Sequence, residues 1–336
     1  MAKLQHYSPR ILQQYLSRRP GEKKLGEEIR FLEQGAKLSE TESKFVLIGI
    51  PEDIGVRANY GKAGTAGAWE VALRALLNIQ LNHFFSGKEI LLLGEINCSE
   101  EMQKASNLDS SDPNYFAKMG DLVAAIDKAV STCVKEVVAA GKLPILVGGG
   151  HNNAYGNIKG TSQALNRPIN ALNIDAHTDL RKLEHRHSGN GFSYALKEGF
   201  FNTYGVFGLH QNYTPQYIFD QMTETENLKF VLFEELTEMN RITAFLELLD
   251  EVGTQPFGLE VDCDVMANFP SSALSPTGFT LNAVREMVRA AGQHPDCKYL
   301  HLCEAIPAGG YPTGKALAYL ISDFVKAGSN GHSAFL

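Results

Sequence analysis

Eight short runs rich in β-branched and aromatic residues recur along this chain, and helix-like segments separate most of them. The runs are Phe45–Ile50, Ile90–Leu93, Pro144–Val147, Ile169–Ile174, Tyr204–Leu209, Phe230–Phe233, Phe257–Val261 and Tyr299–Cys303. Between most of them lie Ala66–Leu77, Leu122–Ala140, Ala154–Leu165, Arg241–Val252 and Leu281–Ala291, and Thr313–Val325 follows the last. Strands that alternate with helices form βαβ units, and such units build a mostly parallel sheet with helices on both faces. Several runs are apolar throughout, as strands covered on both faces must be. No repeat, low-complexity tract or long linker divides the chain. One α/β domain is therefore expected over residues 44–336. A polar segment, residues 1–43, precedes it, with helical spots at Ile11–Leu16 and Glu27–Leu32.

Composition narrows the function. The chain has 336 residues, 44% of them hydrophobic, which is enough for a large core. A formal net charge of −7 gives no global basic field for nucleic acid. The five cysteines are odd in number and lack a CxxC pair, so neither a disulfide framework nor a thiolate zinc site is indicated. Residues 1–24 are polar, and no apolar run approaches the ~20 residues that cross a bilayer. The expectation is a cytoplasmic protein that acts on a small molecule, with neither nucleic acid nor membrane as partner.

In an open α/β sheet, ligands bind beyond the carboxyl ends of the strands. Four runs here end in metal-capable side chains. Pro144–Val147 leads into Gly148–Gly149–Gly150–His151, and Ile169–Ile174 into Asp175, His177 and Asp179. Phe257–Val261 leads into Asp262–Cys263–Asp264, and Tyr299–Cys303 into Glu304. In an extended segment, residues i, i+2 and i+4 point to one side, so Asp175, His177 and Asp179 can converge. Taken alone they could equally be a polar strand end with Asp175 as a cap. The coincidence of four strand ends favours metal. Four aspartates and two histidines suit two divalent ions about 3.5 Å apart, bridged by carboxylates and a water that ionises near neutral pH. His151 and His177 are then terminal ligands on opposite ions, Asp175 and Asp262 bridge, and Asp179 and Asp264 complete one ion each. Asp179 could also shuttle the proton. The expected reaction is hydrolysis of a polarised, carbonyl-like carbon. The Gly148–Gly150 run lacks G-x-G-x-x-G spacing and is read as a sharp turn beside the metals. Gly55–Ala63 fails as a phosphate loop by spacing and by the missing hydroxyl.

These residues resemble the ureohydrolases, the arginase/agmatinase/formimidoylglutamase family, from about Phe45 to about Val325. The resemblance rests on Gly-Gly-Gly-His (148–151), Asp-Ala-His-Thr-Asp (175–179), Asp-Cys-Asp (262–264) and Glu304 in that order. It implies a three-layer α/β/α sandwich with a mainly parallel eight-stranded sheet. It also implies two Mn²⁺ ions and homo-oligomers, often trimers or hexamers. Gly150 stands where arginases carry Asp, and Leu180–Arg181 is similar to the Asp-Leu-Arg of formimidoylglutamases. His187–Phe192 resembles their Ser-Ser-Gly-Thr-Pro-Phe, and Arg57 lies in a loop like one at their site mouth. The resemblance thus implies Glu304 on the amidino group. A substrate such as N-formimidoyl-glutamate brings two carboxylates. Arg181 would be a rigid bidentate partner for one of them, with Ser188, Asn190 and Arg57 as further contacts. His185 and His187 are expected to be solvated loop residues.

The chain also departs from the pattern. Asn152 follows His151 where formimidoylglutamases commonly have Glu. Glu260 precedes the second aspartate pair where a small residue is usual, and Val265–Asn268 lacks the acidic and Pro residues of arginases. A guanidino hydrolase acting on arginine, agmatine or a guanidino acid, and releasing urea, is therefore the alternative. A non-catalytic family member would be marked by a lost ligand, and all six are present.

Overall fold

The sheet of the protein, seen in a computed structural model that describes residues 1–329, is built outward and then filled from the middle. Its strands are β1 (Lys3–His6), β2 (Phe45–Gly49), β3 (Ile90–Asn97), β4 (Leu143–Val147), β5 (Ile169–Ile174), β6 (Phe201–Leu209), β7 (Leu228–Leu232), β8 (Phe257–Asp262) and β9 (Cys297–Cys303). Their spatial order is β1-β3-β2-β4-β9-β8-β5-β6-β7. The chain lays down β4 and β5 with a gap between them, runs out through β6 and β7, and returns to fill the gap with β8 and β9. Pairings among β2–β9 are all parallel, and β1 alone runs antiparallel, on β3.

All eight runs read from the sequence are strands. The sheet nevertheless has nine strands rather than eight. The ninth is β1, from a segment expected to be helical. That segment holds one four-residue α-helix, Leu12–Tyr15, and otherwise three short 3-10 turns and extended chain. Its strand is invisible to apolar patterning because β1 is an edge strand, half-buried at Leu4 and exposed at Lys3, Gln5 and His6. The expected end of the domain, residues 330–336, lies outside the described residues.

Alternation along the strands makes the three layers. Phe45 and Leu47 of β2 join one core, with helices Ala68–Leu77, Leu281–Gln293 and Thr313–Ser329. Val46 and Ile48 join the other, with helices Tyr115–Ala139 and Asn153–Leu165. Helix Leu281–Gln293 shows how such an element is specified. The Thr280 hydroxyl accepts from the Ala283 amide at 3.2 Å and caps it. Ala283, Val284, Met287, Val288 and Ala291 form its buried stripe. Burial of each large side chain in that stripe contributes roughly 1.5–3 kcal/mol.

Register brings four strand ends level. Val147 of β4 pairs with Leu302 of β9, Leu302 with Val261 of β8, and Val261 with Ile174 of β5. The segments that follow these four adjacent strands emerge side by side at the centre of the sheet edge.

Candidate metal centre

Two clusters of side chains meet at that edge. In the first, Nδ1 of His151 lies 2.8 Å from Oδ2 of Asp179 and 3.2 Å from Oδ2 of both Asp175 and Asp262. In the second, Nδ1 of His177 lies 3.1 Å from Oδ2 of Asp264 and 3.5 Å from Oδ1 of Asp175. Asp175 thus turns one oxygen to each cluster. Each forms a group of potential ligand atoms within 4.8 Å of one another. His151 and His177 fall in different clusters, as do Asp179 and Asp264. Asp262 was expected to bridge but meets only the first cluster, and its Oδ1 accepts from the Asp264 amide at 2.9 Å.

Backbone geometry aims these groups. Gly148 and Gly149 turn through φ +95° and +76°, which favours glycine. A Cβ at Gly150 would come within 2.6 Å of Asn152 Oδ1 and 2.8 Å of Val56 Cγ2, so a side chain there would require Asn152 to move. Asp179 (φ +50°) and Glu304 (φ +59°) sit in the left-handed region although neither is glycine. Such strain costs on the order of 1–3 kcal/mol and persists only where the surroundings enforce it. Glu304 is enforced on both sides: its amide donates to Gly149 O at 3.0 Å, and its Oε1 accepts from the His151 amide at 2.7 Å.

The electrostatics call for positive charge. Burial first, and then Asp264 and Asp175, push Asp262 well above the ordinary carboxylate range. Burial pushes Glu304 up to about 8. Burial also acts against a charge on His177, but Asp264 and Asp175 hold its pKa well above the ordinary value. Both ring nitrogens of His151 are buried and without a hydrogen-bond partner. A buried polar atom facing three carboxylates is satisfied by a cation. The 2.8 and 3.2 Å separations suit neighbouring ligands around an ion bonded at about 2.1 Å. Carboxylates with imidazole fit Mn²⁺, Zn²⁺ or Ni²⁺. His301 and Cys303 form a third group with His151, but His301 is already bonded to Glu260 and burial pushes the Cys303 thiol well up.

A cavity of about 760 Å³ opens above the clusters, lined by His177, Asp179, Asp262, Asp264 and Glu304 at its floor. Arg181, Ser188, Asn59, Lys62, Tyr213 and Tyr217 line its walls. Another cavity, of about 710 Å³ between helices Ala68–Leu77 and Thr313–Ser329, has no carboxylate in its lining.

Two expected substrate contacts lie elsewhere. Arg57 is absent from the lining, and its Nε donates to Asp53 Oδ1 at 2.8 Å, an i,i+4 pair on the short helix Ile54–Ala58. Asn190 is fully buried. Its Oδ1 accepts from the His187 amide at 3.1 Å and from Arg186, and its Nδ2 donates to the His185 carbonyl at 2.9 Å. His187, expected in solvent, is 1% exposed and accepts from the Gly189 amide, while His185 is half-buried.

Glu52 escaped the sequence reading. Fully buried just past β2, it accepts from the Gly150 amide at 2.9 Å, Asn153 Nδ2 at 2.7 Å and Asn152 Nδ2 at 3.2 Å, and so holds the turn that delivers His151. It lies at the same sheet edge as the other strand-end acids, so the strand-end rule could have found it. Lys62 and Tyr213 carried no such signal.

Taken together, fold and site define a parallel α/β protein with a carboxylate–imidazole centre at the carboxyl ends of its central strands. Residues 43–325 match the arginase family model, and the chain belongs to that family. The formimidoylglutamase of Geobacillus thermodenitrificans is 29% identical over 307 residues, covering 88% of each chain. Among solved structures, formimidoylglutamase from Bacillus subtilis superposes with a TM-score of 0.76 at 18% identity, over 94% of this chain and 98% of that one. Trypanosoma cruzi formiminoglutamase with Mn²⁺ gives 0.73 at 18% identity, over 91% and 98%. At that identity the two structures speak to the fold.

Proposed function

We propose that this protein hydrolyses N-formimidoyl-L-glutamate to L-glutamate and formamide, using two divalent cations, most naturally Mn²⁺. The observation that carries the reading is Asp175, whose two carboxylate oxygens are shared between two ligand clusters beneath one cavity. His151, Asp175, Asp179 and Asp262 would hold one ion, and Asp175, His177 and Asp264 the other. When bound, the ions would supply a water acidified toward neutral pH and would stabilise charge developing on the amidino group.

The chain's own groups have distinct tasks. Glu304 faces the cavity beside Asp179 and would hold the amidino nitrogens by charge-assisted hydrogen bonds. Water adds to the formimidoyl carbon, the bond from that carbon to the glutamate nitrogen breaks, and the nitrogen leaves with a proton. Asp179 would carry that proton, a role supported by its side chain being 14% exposed and lining the cavity. Arg181 is exposed at the cavity wall and forms no ion pair among the described residues, which leaves it free for a substrate carboxylate. Ser188 lies beside it and accepts from Asn59 Nδ2 at 3.1 Å. The relatives named formimidoylglutamase support the same substrate.

The test is a turnover screen of formimidoylglutamate, arginine, agmatine and guanidinobutyrate with added Mn²⁺. Formamide release from the first supports the proposal, and urea release from any of the others with none from the first overturns it. We further propose a homo-oligomeric, cytoplasmic enzyme with residues 44–336 as one catalytic unit, which light scattering and cell fractionation check. Among the described residues no helix is long and apolar enough to cross a membrane.

A further inference from the structure

Below the floor, on the side away from the cavity, β8 carries a second carboxylate. Glu260 is fully buried, two residues before Asp262. Three side chains close on it. The Tyr299 hydroxyl donates to Oε1 at 2.8 Å, Asn157 Nδ2 to the same oxygen at 3.4 Å, and His301 Nδ1 meets Oε2 at 2.5 Å. Oε2 also lies 3.6 Å from Nε2 of His151, just beyond hydrogen-bonding distance, so that a small shift of either group would join them. The same ring turns Nδ1 toward Asp179, Asp175 and Asp262. One imidazole therefore stands between a single carboxylate behind and three in front.

A neutral imidazole has one N–H and one lone pair. To offer the lone pair of Nδ1 forward, His151 must carry its proton on Nε2, where it needs an acceptor. The Cys303 thiol also lies within 4.8 Å of a His151 ring nitrogen, but sulfur is a weak acceptor and this one donates toward the Val261 carbonyl at 3.6 Å. His301 also groups with His151 but spends its Nδ1 on Glu260, whose Oε2 faces Nε2 of His151. The three partners of Glu260 fill its other acceptor positions and hold it in place. A buried carboxylate with no Lys or Arg partner among the described residues is costly to keep. Helping to set a ligand gives it a reason to be there.

We propose that Glu260 is a positioning residue. Clamped by Tyr299, His301 and Asn157, it accepts the Nε2 proton of His151 and thereby sets the tautomer and ring orientation that present Nδ1 to a divalent cation. The proposal rests on the two-cation reading above, and the test separates the two. Mn²⁺ binding to the purified, chelator-stripped full chain is measured by calorimetry, alongside thermal melting in chelator. Glu260→Gln is expected to weaken binding at the His151 cluster by about 10–100-fold, the usual cost of losing such an outer partner. At saturating Mn²⁺ its KM for formimidoylglutamate should stay near the wild-type value. Tyr299→Phe leaves the carboxylate but loosens it, and should weaken Mn²⁺ binding by a smaller factor; it serves if Glu260→Gln does not fold. Wild type that binds two equivalents while a folded Glu260→Gln binds them equally well overturns this role alone. So does a pair of variants that melt earlier in chelator with unchanged Mn²⁺ affinity, since that marks a purely structural carboxylate. Wild type that binds no Mn²⁺ overturns both readings.

Discussion

The floor and the wall of the cavity are built by different means. The floor groups, His177, Asp179, Asp262, Asp264 and Glu304, and the buried His151 and Asp175 beneath them leave the ends of β4, β5, β8 and β9, and their places are set by parallel ladders in register. The wall groups, Lys62, Arg181, Ser188 and Tyr213, sit on loops, and the two cations among them are exposed. The difference teaches where each task must live. Bond cleavage needs groups held to fractions of an ångström, which strand ends give, whereas substrate choice can be written on loops over a fixed base. The wall is not loose throughout. The loop bearing Arg181 and Ser188 is anchored by Arg186, whose Nε donates to Asp127 Oδ2 at 2.9 Å and Nη2 to the Asn152 carbonyl at 3.1 Å. Its guanidinium lies 5.1 Å from the Tyr155 ring centre and 4.8 Å from that of Tyr194.

The sharpest way to break this division is at the floor. Asp175→Ala should lower formimidoylglutamate turnover by about 10³-fold or more, because one carboxylate serves both clusters. Its melting temperature in chelator should fall, since the His177 amide and Asn173 Nδ2, which donate to Asp175 at 2.7 and 2.9 Å, lose their acceptor. Activity within tenfold of wild type would erase the distinction between floor and wall. The anchor comes next. Arg186→Met strands the buried Asp127 and should cost roughly 3–5 kcal/mol in urea unfolding. A loss below about 1 kcal/mol would mean that the loop is held some other way.

A smaller effect is expected at the free wall cation. Arg181→Ala should reduce kcat/KM by about 10–100-fold, carried mainly by KM, as loss of a charge-assisted contact predicts, with Arg181→Lys in between. A fall in kcat with KM unchanged would place Arg181 in the chemistry instead. The smallest effect is a pH dependence. Burial lowers the His187 pKa to about 4, below its unfolded value near 6.5. Between those values the unfolded chain binds the proton and the folded one does not. This residue's share of stability is therefore whole above about pH 6.5 and is lost as pH falls toward 4. Melting curves of wild type and His187→Asn between pH 4.5 and 7 should converge as pH falls, and parallel curves would contradict this.

The same division explains what could be read from the chain. Strands on both sides of the sheet announce themselves by apolar runs, and the acids and histidines beyond four of those runs follow by position alone. The antiparallel β1 has no such run, so patterning in segment 1–43 shows only its helical spots at Ile11–Leu16 and Glu27–Leu32. Arg57 and Asn190 are chemically apt for a substrate and are in fact consumed by Asp53, and by Arg186 with the loop backbone. Glu260 carries no role that its place in the sequence reveals, because Tyr299, His301 and Asn157 surround it only in the folded chain.

By itself, then, the sequence determined the alternating architecture and which side chains crowd the central sheet edge, because strand period and strand ends are local properties. Only the tertiary structure decided which loop residues face the cavity and which are spent on neighbours. That choice depends on pairs such as Arg186 and Asp127, 59 residues apart, or Glu304 and His151, 153 apart, which meet only once the sheet has closed the distance.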